Sequence, residues 1–342
     1  MIFTARSHNR EDDTSTPEIT GPWTKFSDNM SQSIQYIKDR ASGKSKSLKT
    51  QWAQFNSIGL NGIEWHSLYV LAARPGIGKS LIAASLSREL QKLNNDQNFA
   101  VLHFQFEMLG RNMVLREFSS EMNMNIRYLQ SAQDDGMPPF SEADLKRLET
   151  YANSQQNREE YIIDTAMTVE EMKNTIILFY KKVQKPFIIT LDHTLLVKQS
   201  SSENNRNITL QNLATMITFI KNRLPVTFIL LTQLNREIDD AERQKPGQLS
   251  NYPTEADVYG SDFLFQCADV MMAYNRPAKY QLRLYGPEKF IIEDDDKFLL
   301  ALHVLKNRFG TVGLQWYRAN YAEMTIDESH APRKQPPKVQ NF

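Results

Sequence analysis

The segment Ala73, Arg74, Pro75, Gly76, Ile77, Gly78, Lys79, Ser80 constrains this chain more than any other. The apolar run Ser67–Ala73 leads into it, and Leu81, Ile82, Leu86 and Leu90 follow at helical spacing across 79–91. Strand, glycine-bearing turn and helix in that order read as a phosphate-binding loop. Gly76 and Gly78 let the backbone turn its amides toward phosphate oxygens. A helix starting at Lys79 points the positive end of its dipole at the same place. The residue types then suggest roles. The backbone of 73–78 and Leu81 surround a nucleotide, Lys79 reaches its β and γ phosphates, and Ser80 ligates Mg²⁺. ATP and Mg²⁺ are the expected cofactors. Ala73 stands where the strict motif has its first glycine.

Further along, strands and helices alternate. Strand-like runs occur at Phe99–Phe106, Tyr161–Asp164, Pro186–Leu191, Val226–Leu231, Ala268–Tyr274, Phe298–Val304 and Thr311–Tyr317. Helical segments are expected over about 110–123, 141–151, 168–183 and 208–223, the third opened by the capping box Thr168-Val-Glu-Glu171. Such alternation predicts an α/β fold with a mostly parallel sheet covered on both faces.

An open sheet of this kind binds ligands at the carboxyl ends of its strands, and three polar residues stand there. Asp192 follows the run 187–191 and suits a water-mediated Mg²⁺ contact; a plain helix cap is the other reading. Glu107 follows Phe99–Phe106 and can orient or deprotonate an attacking water; otherwise it is a surface carboxylate. Gln233, after Val226–Leu231, can sense the γ-phosphate; otherwise it is a solvated strand end.

Charge and composition exclude several classes. Forty basic and forty acidic residues give a formal charge of zero, so this is no globally basic DNA-coating protein, although local basic loops are permitted. One cysteine, Cys267, rules out a disulfide framework. Six scattered histidines argue against a structural metal, and no apolar run nears the ~20 residues of a membrane span. A soluble protein of a reducing cytoplasm is expected. The organisation expected is a disordered segment at 1–26, a linker helix and linker at 27–50, a motor domain at 51–325 and a flexible tail at 326–342. In the linker helix Met30, Ile34 and Ile37 make a narrow apolar stripe.

Six segments in order carry a resemblance: 72–80, Phe-Gln-Phe-Glu-Met (104–108), Ile-Ile-Asp-Thr (162–165), Ile-Ile-Thr-Leu-Asp-His (188–193), Leu-Thr-Gln-Leu-Asn-Arg (231–236) and Leu-Lys-Asn-Arg-Phe-Gly (305–310). Together they resemble the RecA-like motor domain of DnaB-type replicative helicases, including the related phage helicases, from about Gln51 to Tyr317. Alanine at the first loop position is usual in that family. The resemblance implies a homo-hexamer with ATP between subunits, 5′→3′ movement on single-stranded DNA and unwinding at the replication fork. It also implies that Lys306 and Arg308 are offered to a neighbour's γ-phosphate, and that Arg276 and the pair Trp316–Tyr317 lie at the base. Aromatic residues on an apolar strand are also ordinary core, and a Lys-x-Arg beside a strand is also an ordinary turn. For DNA, the resemblance points to two channel loops, one carrying Lys198 and Arg206 and one carrying Arg243 and Lys245. Solvated loops are the plain reading of both.

Two departures from the family stand out. Tyr259 replaces an arginine of an Asp-Leu-Arg-x-Ser-Gly segment, and His193 replaces the usual tyrosine after Asp192. A packing difference is expected at His193. The ~50 residues before the motor are too few for the family's helical N-terminal domain, which suggests a phage-like plan. Any primase is expected on a separate chain, with a helicase loader, polymerase or single-strand-binding protein as further partners. A RecA/RadA-like recombination ATPase and an ATP-dependent loader or remodelling module are the alternatives.

Overall fold

The computed structural model describes residues 23–131, 136, 138, 140–201, 203 and 205–336, with backbone alone for 261 and 262. The reading of 1–26 as disordered therefore falls mostly outside the described residues, as does the end of the 326–342 tail. The chain divides into two compact units, Met1–Lys46 and Ser47–Phe342.

In the first unit, helix α1 (Phe26–Ala41) is the helix expected within 27–50, starting one residue earlier. Phe26, Met30, Ile34 and Ile37 recur on one stripe, and all four are exposed.

The second unit is built on a nine-stranded sheet. Its strands are β1 (Leu68–Ala73), β2 (Ala100–Gln105), β3 (Glu160–Ile163), β4 (Phe187–Asp192), β5 (Val226–Gln233), β6 (Val270–Asn275), β9 (Leu299–Asn307), β10 (Gly313–Asn320) and β11 (Thr325–Glu328). A separate hairpin pairs β7 (Leu284–Tyr285) with β8 (Phe290–Ile291). The helices are α2 (Ala53–Ser57), α3 (Lys79–Arg88), α4 (Leu90–Leu93), α5 (Gly110–Met122), α6 (Ile126–Gln130), α7 (Glu142–Ser154), α8 (Val169–Val183), α9 (Arg206–Lys221) and α10 (Ser261–Cys267).

Strand order is β11-β10-β9-β6-β1-β5-β4-β2-β3. The six strands from β6 to β3 run parallel, and β9, β10 and β11 are added antiparallel. This is the RecA-like arrangement expected. Parallel strands are covered on both faces and so read as unbroken apolar runs, which is why β1, β4 and β5 were legible in the sequence. One face packs Met172, Ile176 and Phe179 of α8 and Leu213, Ile217 and Ile220 of α9. The other packs Leu81, Ile82 and Leu86 of α3 with Trp52 and Phe55. The capping box at α8 forms as expected between Thr168 and Glu171.

Two expectations are corrected. The helix of 79–91 stops at Arg88 and resumes as the short α4. The tail expected from 326 begins inside β11, where Ile326 is buried and its carbonyl accepts the Trp52 indole N–H at 3.0 Å. A four-residue edge strand is too short to show period-2 alternation in the sequence.

His303 on β9 yields a pH prediction. It is buried, its Nε2 lies 2.7 Å from the Tyr285 hydroxyl, and the Tyr252 ring sits 4.5 Å away. Burial pushes its imidazole down to about 3. The unfolded chain takes up a proton near pH 6.5 and the folded chain does not, so stability is lost as pH falls below that value. The slope is about 1.4 kcal/mol per pH unit from this group. Denaturant unfolding between pH 7 and 5 should show His303→Gln with a shallower loss than wild type; parallel curves would refute the assignment.

Candidate functional site

Four adjacent strands, β1, β5, β4 and β2, end at one edge of the sheet and carry the candidate residues there. Ala73 lies beside Gln233, and Gln105 lies beside Asp192. Between β1 and α3 the chain makes the expected loop. Gly76 and Gly78 have φ of 75° and 99°, which a side chain would strain. Gly78 is doubly constrained, because a Cβ there would lie 2.8 Å from the Tyr321 ring. Arg74, Pro75, Gly76, Gly78, Lys79, Ser80, Leu81, Glu107 and Gln233 line a single cleft with Arg116, Tyr321 and Met324. Residues picked from separate stretches of sequence thus meet, and Ile77 is buried beneath them.

Asp192 lies at the floor of this cleft, buried, with neither carboxylate oxygen hydrogen-bonded in good geometry. Burial raises its pKa, while the Ser80 hydroxyl and the Lys79 ammonium oppose that rise. Lys79 is the mirror case: burial lowers its pKa, and Asp192 and Glu107 pull it back up. An orphaned buried carboxylate beside a hydroxyl and facing a phosphate cradle fits a divalent cation. Among the described residues no cluster of three or more His, Cys, Asp or Glu makes a ready cation cage. Mg²⁺ would therefore complete its shell with water and nucleotide phosphates, as that ion commonly does.

The loop is tied to its surroundings by side chains the sequence left unassigned. Arg74 donates to Asp239 at 2.8 Å and to the Leu234 carbonyl at 3.1 Å, joining the loop to the chain just past Gln233. Lys279 Nζ donates to the Pro75 carbonyl at 2.6 Å, and the Tyr321 hydroxyl donates to the Ile77 carbonyl at 2.6 Å. Arg276, expected near the base, sits with its guanidinium 5.6 Å from the Tyr321 ring centroid.

Tyr317 is a correction. It is 0% exposed and packs edge-on against Trp52 at 5.2 Å, so it cannot stack on a base. Trp316 is likewise buried, against Phe290. Tyr321, one residue beyond the end of β10, is the aromatic that lines the cleft. Nothing in the local sequence marks it.

His193 is more than a packing difference. Its Nε2 lies 3.6 Å from a Glu107 carboxylate oxygen and 3.5 Å from Gln233 Nε2. Burial and the nearby Lys79 push its imidazole down to about 4. The Asp192–His193 peptide is cis.

Lys306 and Arg308 are not brought to this cleft. Tyr274 of β6 lies beside Ala73 and Leu302, whereas Met271 lies beside Lys306. Arg308 is thus six residues along from the level of the loop, about 20 Å at strand spacing, at the opposite edge of the sheet. There Asp269 holds it at 3.0 Å and also binds Lys221 and the Leu68 amide. Lys306 Nζ donates to the Phe265 carbonyl at 2.5 Å.

The four cations expected on DNA differ in their surroundings. Lys198 and Lys245 are exposed, the latter paired with Glu242 at 2.5 Å. Arg206 donates to the Val197 carbonyl. Arg243 is corrected: it grips both oxygens of Asp257 and the carbonyls of Ser250 and Tyr252. It is the internal brace of the 240–257 loop and is not free for phosphate. Burial pushes the Asp257 carboxyl up, but Arg243 and Thr254 outweigh burial and hold it below its usual range.

Comparison with known proteins follows the same outline. Residues 47–323 match the family model described as the DnaB-like helicase C terminal domain. Similar curated proteins include the replicative DNA helicase DnaB of Buchnera aphidicola subsp. Baizongia pistaciae, 24% identical over 74% of this chain and 50% of that protein. The replicative DNA helicase DnaC of Bacillus subtilis is 24% identical over 74% of this chain and 50% of its own length. The chain thus spans about half the length of these relatives. Among solved structures, a chain described as an ATPase domain superimposes with a TM-score of 0.71 at 18% identity, over 88% of this chain and 99% of that one. A DnaB-like replicative helicase, described with its primase interactions, gives 0.70 at 18%, over 94% and 68%. Both likenesses show the fold.

Proposed function

We propose that this chain, which belongs to the DnaB-like helicase C-terminal domain family, is an ATP-driven motor that works as a ring of six on single-stranded DNA and unwinds duplex at the fork. The observation that carries the reading is the split between the two edges of the sheet. Phosphate loop, Asp192, Glu107 and Gln233 share one edge, and Lys306 and Arg308 share the other. A cation pair about 20 Å from its own cleft cannot reach that cleft, and we assign it to a neighbour's.

In this mechanism Gly76–Ser80 cradle the phosphates and Lys79 neutralises their charge. Bound Mg²⁺, held by Ser80 and through water by Asp192, would polarise the β and γ phosphates. Glu107 accepts a proton from water as its oxygen bonds to the γ-phosphorus. The bond to the β-phosphate bridging oxygen breaks, leaving ADP and inorganic phosphate. The neighbour's Arg308 meets the charge that develops, and Tyr321 with Arg276 faces the base.

The state of the cleft has a physical route outward. Gln233 is joined through its carbonyl to the Tyr259 amide at 2.9 Å, and Leu234 bridges Val258. Arg243 then braces the loop from Asp257. Lys198 and Lys245 are the cations we place on DNA, with Arg206 nearby. ATP hydrolysis with forked substrates tests the reading. Unwinding is expected from a 5′ tail and not from a 3′ tail, with hydrolysis stimulated by single-stranded DNA and weakened by salt. Unwinding from neither tail removes the helicase reading. A separate primase and a loader are the partners we expect for such a motor.

A further inference from the structure

The geometry points to His193 as a positioning residue that shares one proton donor between the base Glu107 and the sensor Gln233, so that nucleotide state and water activation are set by one ring. The inference rests on the hydrolytic reading above and adds a residue to it.

The ring's orientation fixes which nitrogen can donate. His193 Nδ1 accepts the Leu195 backbone N–H at 3.3 Å. A neutral imidazole with Nδ1 accepting carries its proton on Nε2. That Nε2–H faces two partners, a Glu107 oxygen at 3.6 Å and the Gln233 amide at 3.5 Å. Two N–H groups cannot bond each other, so the Gln233 amide turned by 180° would present its oxygen to His193. One donor and two acceptors make the contacts exclusive. With Gln233 holding the proton, Glu107 is unrestrained. With Gln233 drawn to a γ-phosphate, Nε2–H passes to the Glu107 carboxylate and fixes the oxygen that faces water. Both separations are slightly long for hydrogen bonds, as those of catalytic groups often are before substrate binds.

The support behind the ring is rigid. His193 is buried, and Thr194 next to it bonds Thr232 of β5 at 3.0 Å, one residue before Gln233. Glu107 is half exposed at the cleft wall. A fixed ring between a half-exposed carboxylate and a strand-end amide is a place where one group can constrain another without touching substrate.

His193→Phe keeps the ring's bulk and removes the donor, and His193→Gln restores an N–H. Turnover and nucleotide affinity are measured on the full chain with ATP and single-stranded DNA. The expected result is a kcat about 10–100-fold lower for the Phe variant, with nucleotide Kd and melting temperature unchanged and most of the rate regained in the Gln variant. In a Gln233→Ala background Nε2–H stays with Glu107, so the Phe substitution should still cost at least as large a factor of the remaining rate as it does alone. A Phe variant within twofold of wild type, or Phe and Gln variants equally impaired, overturns the inference while leaving hydrolysis intact. Wild-type protein that hydrolyses no ATP overturns the hydrolytic reading and this inference with it. Should the Phe variant fail to fold, nitrogen-15 spectra of the six histidines decide on wild-type protein: His193 protonated at Nε2 is expected, and a proton on Nδ1 refutes the arrangement.

Discussion

Lys79→Ala should lower ATP turnover about 10²–10³-fold while leaving the fold in place. The ammonium is largely buried, and its charge is sustained by Asp192 and Glu107. Removing it takes the lysine from a cradle meant for phosphates, and it leaves Asp192 and Glu107 with less positive charge beside them. Asp192, already raised by burial, loses one of the three groups that oppose the rise, leaving the Ser80 hydroxyl and Arg116. Repulsion then falls on the phosphates in ground and transition states alike, so both affinity and rate should suffer. The helix itself is held by Leu81, Ile82 and Leu86, which face the core, so melting should shift little. Phosphate release together with a melting curve checks this. A folded variant turning over within tenfold of wild type would sink the assignment of the cleft.

The second large effect is expected far from that cleft. Arg308→Ala should also cost at least about 10³ in turnover, with nucleotide binding and ring assembly retained. The guanidinium is 53% exposed and has Asp269 as its ion-pair partner in the same chain. Asp269 keeps Lys221 and the Leu68 amide when Arg308 is removed, so the stability cost should stay within about 1 kcal/mol. Mixing gives the sharper test. Lys79→Ala and Arg308→Ala chains are each inactive alone. Assembled together, they should regain turnover if the arginine acts across an interface, because some interfaces then join an intact loop to an intact arginine. If Arg308 served its own chain's cleft, every cleft in the mixture would lack one residue and no activity could return.

Much of this was legible from local pattern. Gly76, Gly78, Lys79 and Ser80 are close neighbours in sequence, and their flanking strand and helix show through simple apolar periodicity. Asp192, Glu107 and Gln233 could be picked because each stands at the end of a buried apolar run, and ends of parallel strands are where an open sheet binds ligands. All three reach the cleft or its floor.

Other assignments depended on which way a side chain turns. Tyr317 and Tyr321 are four residues apart and chemically the same. Only the pairing of β10 with β9 and the turn after Asn320 sends one into the core and the other to the Ile77 carbonyl. Arg243 looked like a free cation on a polar loop, and Asp257, fourteen residues on, closes around it. His193 reads as a simple replacement until β5 brings Gln233 beside it.

By itself, then, the sequence determined the layer architecture, the phosphate cradle and the acidic strand ends, because periodicity and nearest-neighbour spacing encode them. Tertiary structure alone decided that Tyr321 faces the cleft, that Arg243 is a brace, and that His193 stands between Glu107 and Gln233. It also put Lys306 and Arg308 on the far edge from their own loop. The physical reason is tertiary in each case: sheet register and strand direction, and for Arg243 the closure of its own loop on Asp257, bring together residues that are not neighbours in sequence, and no local pattern records which face each side chain will take.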